Sequence, residues 1–179
     1  MTSRQPLPLL LPLPLPLPPP SSPPPPQPPP PPELETLPGH AIRRLQQIAV
    51  AIFLEETAAQ AITPVQFAAL AEVGPAPQMD QRTLARRIGF DTSTLGGVID
   101  RLQAPGLVQR NPSAQDRRLR LLTLTDAGTA LLADVLPPML RAQQRIPAPL
   151  APEDRQTFLT MLHRLIEANN GLSRAPSDA

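Results

Sequence analysis

Between Asp80 and Arg120 the chain holds eight arginines, at 82, 86, 87, 101, 110, 117, 118 and 120, against four aspartates, at 80, 91, 100 and 116. Guanidinium groups offer paired donors that match phosphate and guanine edges, so the chemistry this stretch suits is contact with nucleic acid. The formal net charge of the whole chain is only +1, which makes the basic excess a local feature. All the basic side chains are Arg and none is Lys. A genome rich in G and C is the preferred explanation of that bias.

Bond-making chemistry has weaker support. His40 and His163 are the two histidines, each at a helical position with no second imidazole at ligand spacing, so surface or interface roles are expected. Glu55 and Glu56 read as a solvated helix end. Glu153 and Asp154 favour a helix N-terminus through the dipole. The chain has no Cys, which excludes disulfides, thiolate zinc sites and a thiol switch within it. No Ser-His-Asp arrangement and no Gly-rich phosphate loop stands out. The expectation is a protein that is not an enzyme, with no metal and no cofactor.

The elements that must position the arginines begin at Asp80, which can N-cap a short helix carrying Leu84, Ala85 and Ile88 on one face. Gly89 supplies a left-handed stop, and Asp91 caps again after Phe90. Leu95, Val98, Ile99 and Leu102 then recur on one helical face until Pro105 and Gly106. Two short helices joined by a tight Gly-containing turn form a helix-turn-helix, over 80–104. Leu107, Val108 and Arg110 suggest a strand, Asn111 to Asp116 a polar turn, and Leu119 to Leu124 a second strand. The hairpin is a wing, over 107–124.

Placing the apolar residues of the second helix inward sets Ser93, Gly97 and Asp100 opposite, with Thr94, Gly96 and Arg101 flanking. Thr92, Ser93 and Thr94, at the helix N-terminus, suit phosphates or thymine methyls. Gly96 and Gly97 either let the backbone approach DNA closely or mark local tolerance of a weak helix. Asp100 repels phosphate, so it is expected to partner Arg101 or another Arg.

The run from Asp116 to Gly128, DRRLRLLTLTDAG, resembles the wing and following helix start of MarR-type transcriptional regulators. Its Asp-x-Arg, formed by Asp116 and Arg118, and the Leu-Thr-x-x-Gly after it follow their usual pattern. Val98 to Arg110 is similar to the end of their recognition helix and first wing strand, although polar or basic residues usually stand where this chain has Gly96 and Gly97. The resemblance spans roughly residues 39–169. It implies a mainly α fold with a small β-hairpin wing and dimerisation helices at both ends of the chain. It further implies a cytoplasmic homodimer that binds a pseudo-palindromic DNA operator and is released as a repressor by a small organic acid. The DNA-binding residues expected on both grounds are Thr92, Ser93, Thr94, Gly97, Arg101, Arg110, Arg117 and Arg118. The competing reading is a winged-helix module that contacts proteins without DNA.

The remaining chain fits that frame. Pro 29 is concentrated in residues 1–38, where Leu-Pro alternation precludes the apolar helix of a signal or membrane span. An extended, solvated tail is expected there, and a second flexible tail at 172–179, which leaves one winged-helix domain over 39–171. Gly39 to Ala58 reads as a helix lined by Ile42, Leu45, Ile48, Ile52 and Phe53. Thr63 caps the next helix, with Pro64 in its first turn. A helix from Ala127 to Arg145 should be kinked or broken at Pro137 and Pro138. A last helix runs from Pro152 to Asn170. By resemblance, an effector cleft would draw on His40, Arg44, Ile48 and Phe67, with Arg44 either pairing with a ligand carboxylate or serving in an interface ion pair.

Overall fold

The structure, a computed structural model, describes residues 32–114, 116 and 119–173. The chain divides between Glu33 and Leu34. Most of the expected proline-rich tail lies outside the described residues, as do Gln115, Arg117, Arg118 and residues 174–179. A short 3-10 turn at Leu34–Thr36 precedes the first helix.

Helix α1 (Pro38–Glu56) starts on a proline at its first position and has no side-chain cap at Leu37. It stops two residues before the expected Ala58, where Thr57 turns its hydroxyl back onto the Phe53 carbonyl at 2.8 Å. Helix α2 (Pro64–Val73) opens with a complete capping box between Thr63 and Gln66. Helices α3 (Gln81–Arg87) and α4 (Thr92–Gln103) follow, then strands β2 (Val108–Pro112) and β3 (Arg120–Leu124). Strand β1 (Met79–Asp80) precedes α3 and pairs antiparallel with β3, so the sheet order is β1-β3-β2. A two-residue strand has no periodicity to read, and the sequence alone placed only loop and cap there.

Helix α5 (Asp126–Arg145) runs unbroken through Pro137 and Pro138. The expected break does not occur. Ala133 and Asp134, whose carbonyls lose their helical donors to the prolines, are exposed, so water can serve them. Meanwhile Val135, Pro138 and Ala142 are buried on the opposite side, and that packing outweighs the lost bonds. Helix α6 (Pro152–Asn169), followed by a 3-10 turn at Asn170–Leu172, buries none of its residues.

The core lies where α2, α3, α4 and the sheet converge. Leu70, Leu84, Leu95, Ile99, Leu102 and Leu122 are fully buried there. Each such side chain contributes on the order of 2 kcal/mol relative to exposure. Phe53 of α1 and Val135 of α5 extend the same cluster.

Candidate nucleic-acid interface

The helix-turn-helix is built by its caps. Asp80 Oδ1 accepts from the N–H groups of Arg82 (2.9 Å) and Thr83 (3.0 Å), and Oδ2 accepts from the Thr83 hydroxyl at 2.6 Å. Burial pushes the Asp80 carboxyl up, but the bonds from Thr83 and Arg82 outweigh it and hold it below its ordinary value. Gly89, at φ +62°, takes the left-handed stop after α3, and the Phe90 N–H closes the turn on the Ala85 carbonyl at 2.8 Å. Asp91 then caps α4 through the N–H groups of Ser93 and Thr94. The Ser93 hydroxyl and the Thr94 N–H hold the Asp91 carboxyl below its usual range.

The face that α4 turns outward is the one expected. Leu95, Val98, Ile99 and Leu102 are buried, while Thr92, Ser93, Thr94, Asp100 and Arg101 are exposed. The Ser93 hydroxyl donates to Asp91, so in this state its proton serves the cap. Gly96 and Gly97 are half-buried. A Cβ at Gly96 would stand 3.4 Å from Gln81 Nε2, and one at Gly97 3.7 Å from Arg101 Nη1. Neither glycine is demanded by the chain's own packing.

Arg110, one of the residues expected at the DNA, donates from Nη1 to Asp100 Oδ1 at 2.6 Å and to Gln103 Oε1 at 2.9 Å. Nη2 reaches the Gly96 carbonyl at 3.5 Å. Asp100 thereby finds the Arg partner that the sequence required, on β2 rather than on its own helix. Gln103, and Gln81, whose amide reaches the Thr92 carbonyl at 3.4 Å, are organising residues that sequence reasoning missed. Their partners lie on other elements, where spacing carries no signal.

Around this helix, Arg82, Arg86, Arg87 and Arg101 are exposed, and Arg87 is paired with Glu72 at 3.4 Å. The wing pairs Val108 with Leu124 through Pro112 with Arg120. At its outer end the Ser113 N–H bonds to the Leu119 carbonyl at 3.0 Å, and the Leu119 N–H to the Asp116 carbonyl at 2.9 Å. Arg117 and Arg118 lie outside the described residues. The base of the wing is fastened by Thr125, which caps α5 at Gly128 N (3.1 Å) and donates its hydroxyl to the Gly106 carbonyl at 2.6 Å. Gly128 packs so closely there that a Cβ would overlap the Leu107 carbonyl.

The residues expected to form an effector cleft are not brought together in one chain. Arg44 and Ile48 are exposed on α1, His40 is half-buried near its start, and Phe67 is turned onto Phe53, with ring centroids 6.0 Å apart. None of the four lines either of two cavities along α1. One, of about 370 Å³, is walled by Val50, Val65, Ala68, Ile88 and Phe90, with Gln46 as its polar side chain. It joins α1 to the turn of the helix-turn-helix. The other, of about 550 Å³, lies between α1, the end of α5 and α6, with Ile42, Leu45, Phe158, Leu159 and Leu162 in its walls.

Glu56 also departs from expectation, while Glu55 stays exposed at the helix end. Glu56 is not solvated: it accepts from Arg145 Nη1 at 2.6 Å and Arg141 Nε at 2.9 Å, with 15% of its side chain exposed. Those bonds, Arg145 first, lower its pKa. Glu55 joins through Arg145 Nη2 at 3.2 Å. Partners this far apart in sequence leave no local trace. Among the described residues no cluster of three or more His, Asp or Glu could hold a metal ion, and no helix is long and apolar enough to cross a membrane.

Comparison with known proteins agrees with this geometry. A family model described as "MarR family" matches residues 62–119. The HTH-type transcriptional repressor NicR of Pseudomonas putida is 29% identical over 131 residues, covering 73% of this chain and 83% of that protein. The PcaV transcriptional regulator of Streptomyces coelicolor, solved with its natural ligand, superposes with a TM-score of 0.70 at 34% identity. That match covers 76% of this chain and 96% of PcaV. The repressor CouR, solved on a 23-mer DNA duplex, gives a TM-score of 0.69 at 32% identity, covering 74% of this chain and 94% of that one.

Proposed function

The chain belongs to the MarR family of winged-helix transcriptional regulators, and on that premise we propose that it is a homodimeric, operator-binding repressor released by a small organic ligand. The observation that carries the reading is the outer face of α4. Its first turn presents Thr92, Ser93 and Thr94 to solvent beside the exposed arginines of α3 and Arg101. A helix N-terminus with hydroxyls and flanking cations suits the phosphate backbone and base edges of a major groove. CouR has been solved on a DNA duplex, which supports the same use here. Arg117 and Arg118, read from the sequence as wing-tip residues, are assigned to the adjacent minor groove, and the site of action is the cytoplasm.

Pairing of two chains is supported by the apolar side chains left exposed on the terminal helices, Ile42 and Ile48 on α1 and Leu159, Met161, Leu165 and Ile166 on α6. Two modules then read half-sites about one helical turn apart. The effector is assigned to the smaller cavity, because it touches both the dimerisation helix and the Ile88–Phe90 turn. A ligand there bears on the angle between them. Arg44, exposed on α1, is kept as the cation proposed for a ligand carboxylate.

The test is duplex binding across a salt series. The full chain should bind an operator from its own promoter region with an affinity that falls steeply as salt rises. Arg118→Ala should weaken that binding while leaving the thermal unfolding midpoint unchanged. Aromatic and aliphatic carboxylates are then titrated against the complex. Val65→Phe, which fills the small cavity, should blunt release by any active one. No binding to any duplex at low salt would sink the regulator reading; release unaffected by Val65→Phe would move the effector elsewhere.

A further inference from the structure

Arg110 sits on the β2 strand beside the recognition helix, in a position where a cation invites assignment to a DNA phosphate. We infer that it is instead a positioning residue: with Asp100 and Gln103 it clamps α4 to the wing, and so sets the angle between the two DNA-facing elements. This rests on the DNA-binding reading above, and assigns within it which arginine acts through geometry rather than through contact.

The argument starts from how the guanidinium is used. Nη1 donates to both the Asp100 carboxylate at 2.6 Å and the Gln103 amide oxygen at 2.9 Å, and Nη2 points at the Gly96 carbonyl at 3.5 Å. These three acceptors sit along α4 on successive turns, at positions i, i+4 and i+7, so one planar group grips the length of a helical face. Only 24% of the Arg110 side chain is exposed, against 65% for Asp100. A phosphate contact requires the opposite, an exposed guanidinium with donors to spare.

Asp100 supplies the second half of the argument. A carboxylate on the exposed side of a DNA-reading helix repels phosphate, and electrostatics alone makes its removal strengthen binding to any duplex. The clamp predicts the reverse for the operator. Without Asp100 the Arg110 side chain loses its charge-assisted bond, the wing and α4 lose their fixed angle, and the two elements no longer engage adjacent grooves together. Asp100 is therefore useful in the free and bound protein alike, because it cancels a cation rather than facing the DNA alone.

The experiment uses Asp100→Ala, Arg110→Ala and the double variant in the full chain, with operator and random duplexes across a salt series. Each single variant should lose about tenfold in operator affinity, the order that a hydrogen bond to a charged group carries. The double variant should lose no more than either single one. The slope of affinity against salt should stay unchanged in Arg110→Ala, whereas loss of a phosphate contact lowers it by about one. Arg110→Lys should rescue only in part, since one ammonium can meet Asp100 and Gln103 but has no second nitrogen for the Gly96 carbonyl. A uniform loss on all duplexes with a reduced slope in Arg110→Ala, or tighter operator binding by Asp100→Ala, overturns the clamp. If the unaltered protein binds no duplex, the regulator reading fails, and the clamp is judged by urea unfolding alone. Coupled effects of the two substitutions then support it, and additive effects overturn it.

Discussion

The winged module and the terminal helices are built to different standards. Helices α2, α3, α4 and α5 open on side-chain caps from Thr63, Asp80, Asp91 and Thr125. Helices α1 and α6 open on Leu37 and Ala151 with no side-chain cap at all. The module fully buries Leu70, Leu84, Leu95, Ile99, Leu102 and Leu122, whereas α6 buries none of its residues and leaves Leu165 and Ile166 more than half exposed, at 55% and 61%. The module is finished within one chain. The terminal helices start without side-chain caps and leave much of their apolar faces exposed, and a large exposed patch of that kind marks an interaction surface. The contrast separates what the single chain specifies from what a second copy is proposed to complete.

The largest effect should come from breaking the unfinished side. Replacing Leu165 and Ile166 together by Asp places two charges on a face proposed to be buried between copies. Dissociation should rise by ~1000-fold or more, as two buried anchors lost from one interface imply. Light scattering at micromolar concentration should then report a monomer, while circular dichroism keeps its helical signal, because neither side chain is buried in the chain itself. A variant that stays dimeric places the interface on other residues.

Gly128→Ala attacks the finished side. The added Cβ overlaps the Leu107 carbonyl, which is backbone and also accepts the Thr125 N–H at 3.1 Å. Relief requires moving either the wing base or the start of α5, and overpacking of this sort costs about 3 kcal/mol. The urea midpoint should fall by the corresponding amount. An unchanged midpoint would mean that the wing base yields freely, and the module is less rigid than its packing implies.

These two regions also differ in how far the sequence disclosed them. Local chemistry was legible: Asp80, Gly89 and Asp91 each act on residues close by in the chain, and each took its expected role at a helix end. The inward face of α4 followed from its period. What escaped were pairings between residues distant along the chain. Nothing near Arg110 announces that β2 folds back onto Asp100, and nothing near Glu56 announces Arg141 and Arg145. Helix α5 shows the other limit, because its two prolines argue locally for a kink or break, yet with Val135, Pro138 and Ala142 buried the helix runs on unbroken. The contact of Phe67 with Phe53 was illegible for a related reason, since it is set by packing between helices.

Removing a cap within the module should have a moderate effect that depends on pH. Asp80→Ala should cost about 1 kcal/mol at neutral pH. Because the Asp80 carboxyl is held below its ordinary value in the folded chain, its contribution is complete above the unfolded pKa, near 4, and is lost as pH falls through the lowered folded one. The gap between the original protein and Asp80→Ala should therefore close on acidification below about pH 4. Asp80→Asn keeps a capping oxygen that does not titrate, so its stability should track the original at neutral pH and lack that acid loss. A gap that persists in acid would place the Asp80 contribution outside its ionised cap.

The smallest effect should come from finishing one end of an unfinished helix. Ala151 already holds a cap-like backbone, at φ −56° and ψ 145°, but offers no oxygen to the N–H groups of α6. Serine at this position adds that oxygen without moving the chain. Aspartate is the poorer choice, since Glu153 and Asp154 already crowd the first turn with negative charge, and a third carboxylate repels them. Ala151→Ser should gain roughly 0.5 kcal/mol, too little to shift global unfolding clearly. The sensitive readout is hydrogen exchange at the first-turn amides of α6, which should slow severalfold in dilute protein, where the helix frays for want of both cap and partner. In concentrated protein the gain should shrink, because pairing with a second copy already holds the helix. Equal protection at both concentrations would show that α6 is stabilised by its own chain, and the distinction between the two regions would narrow to their caps.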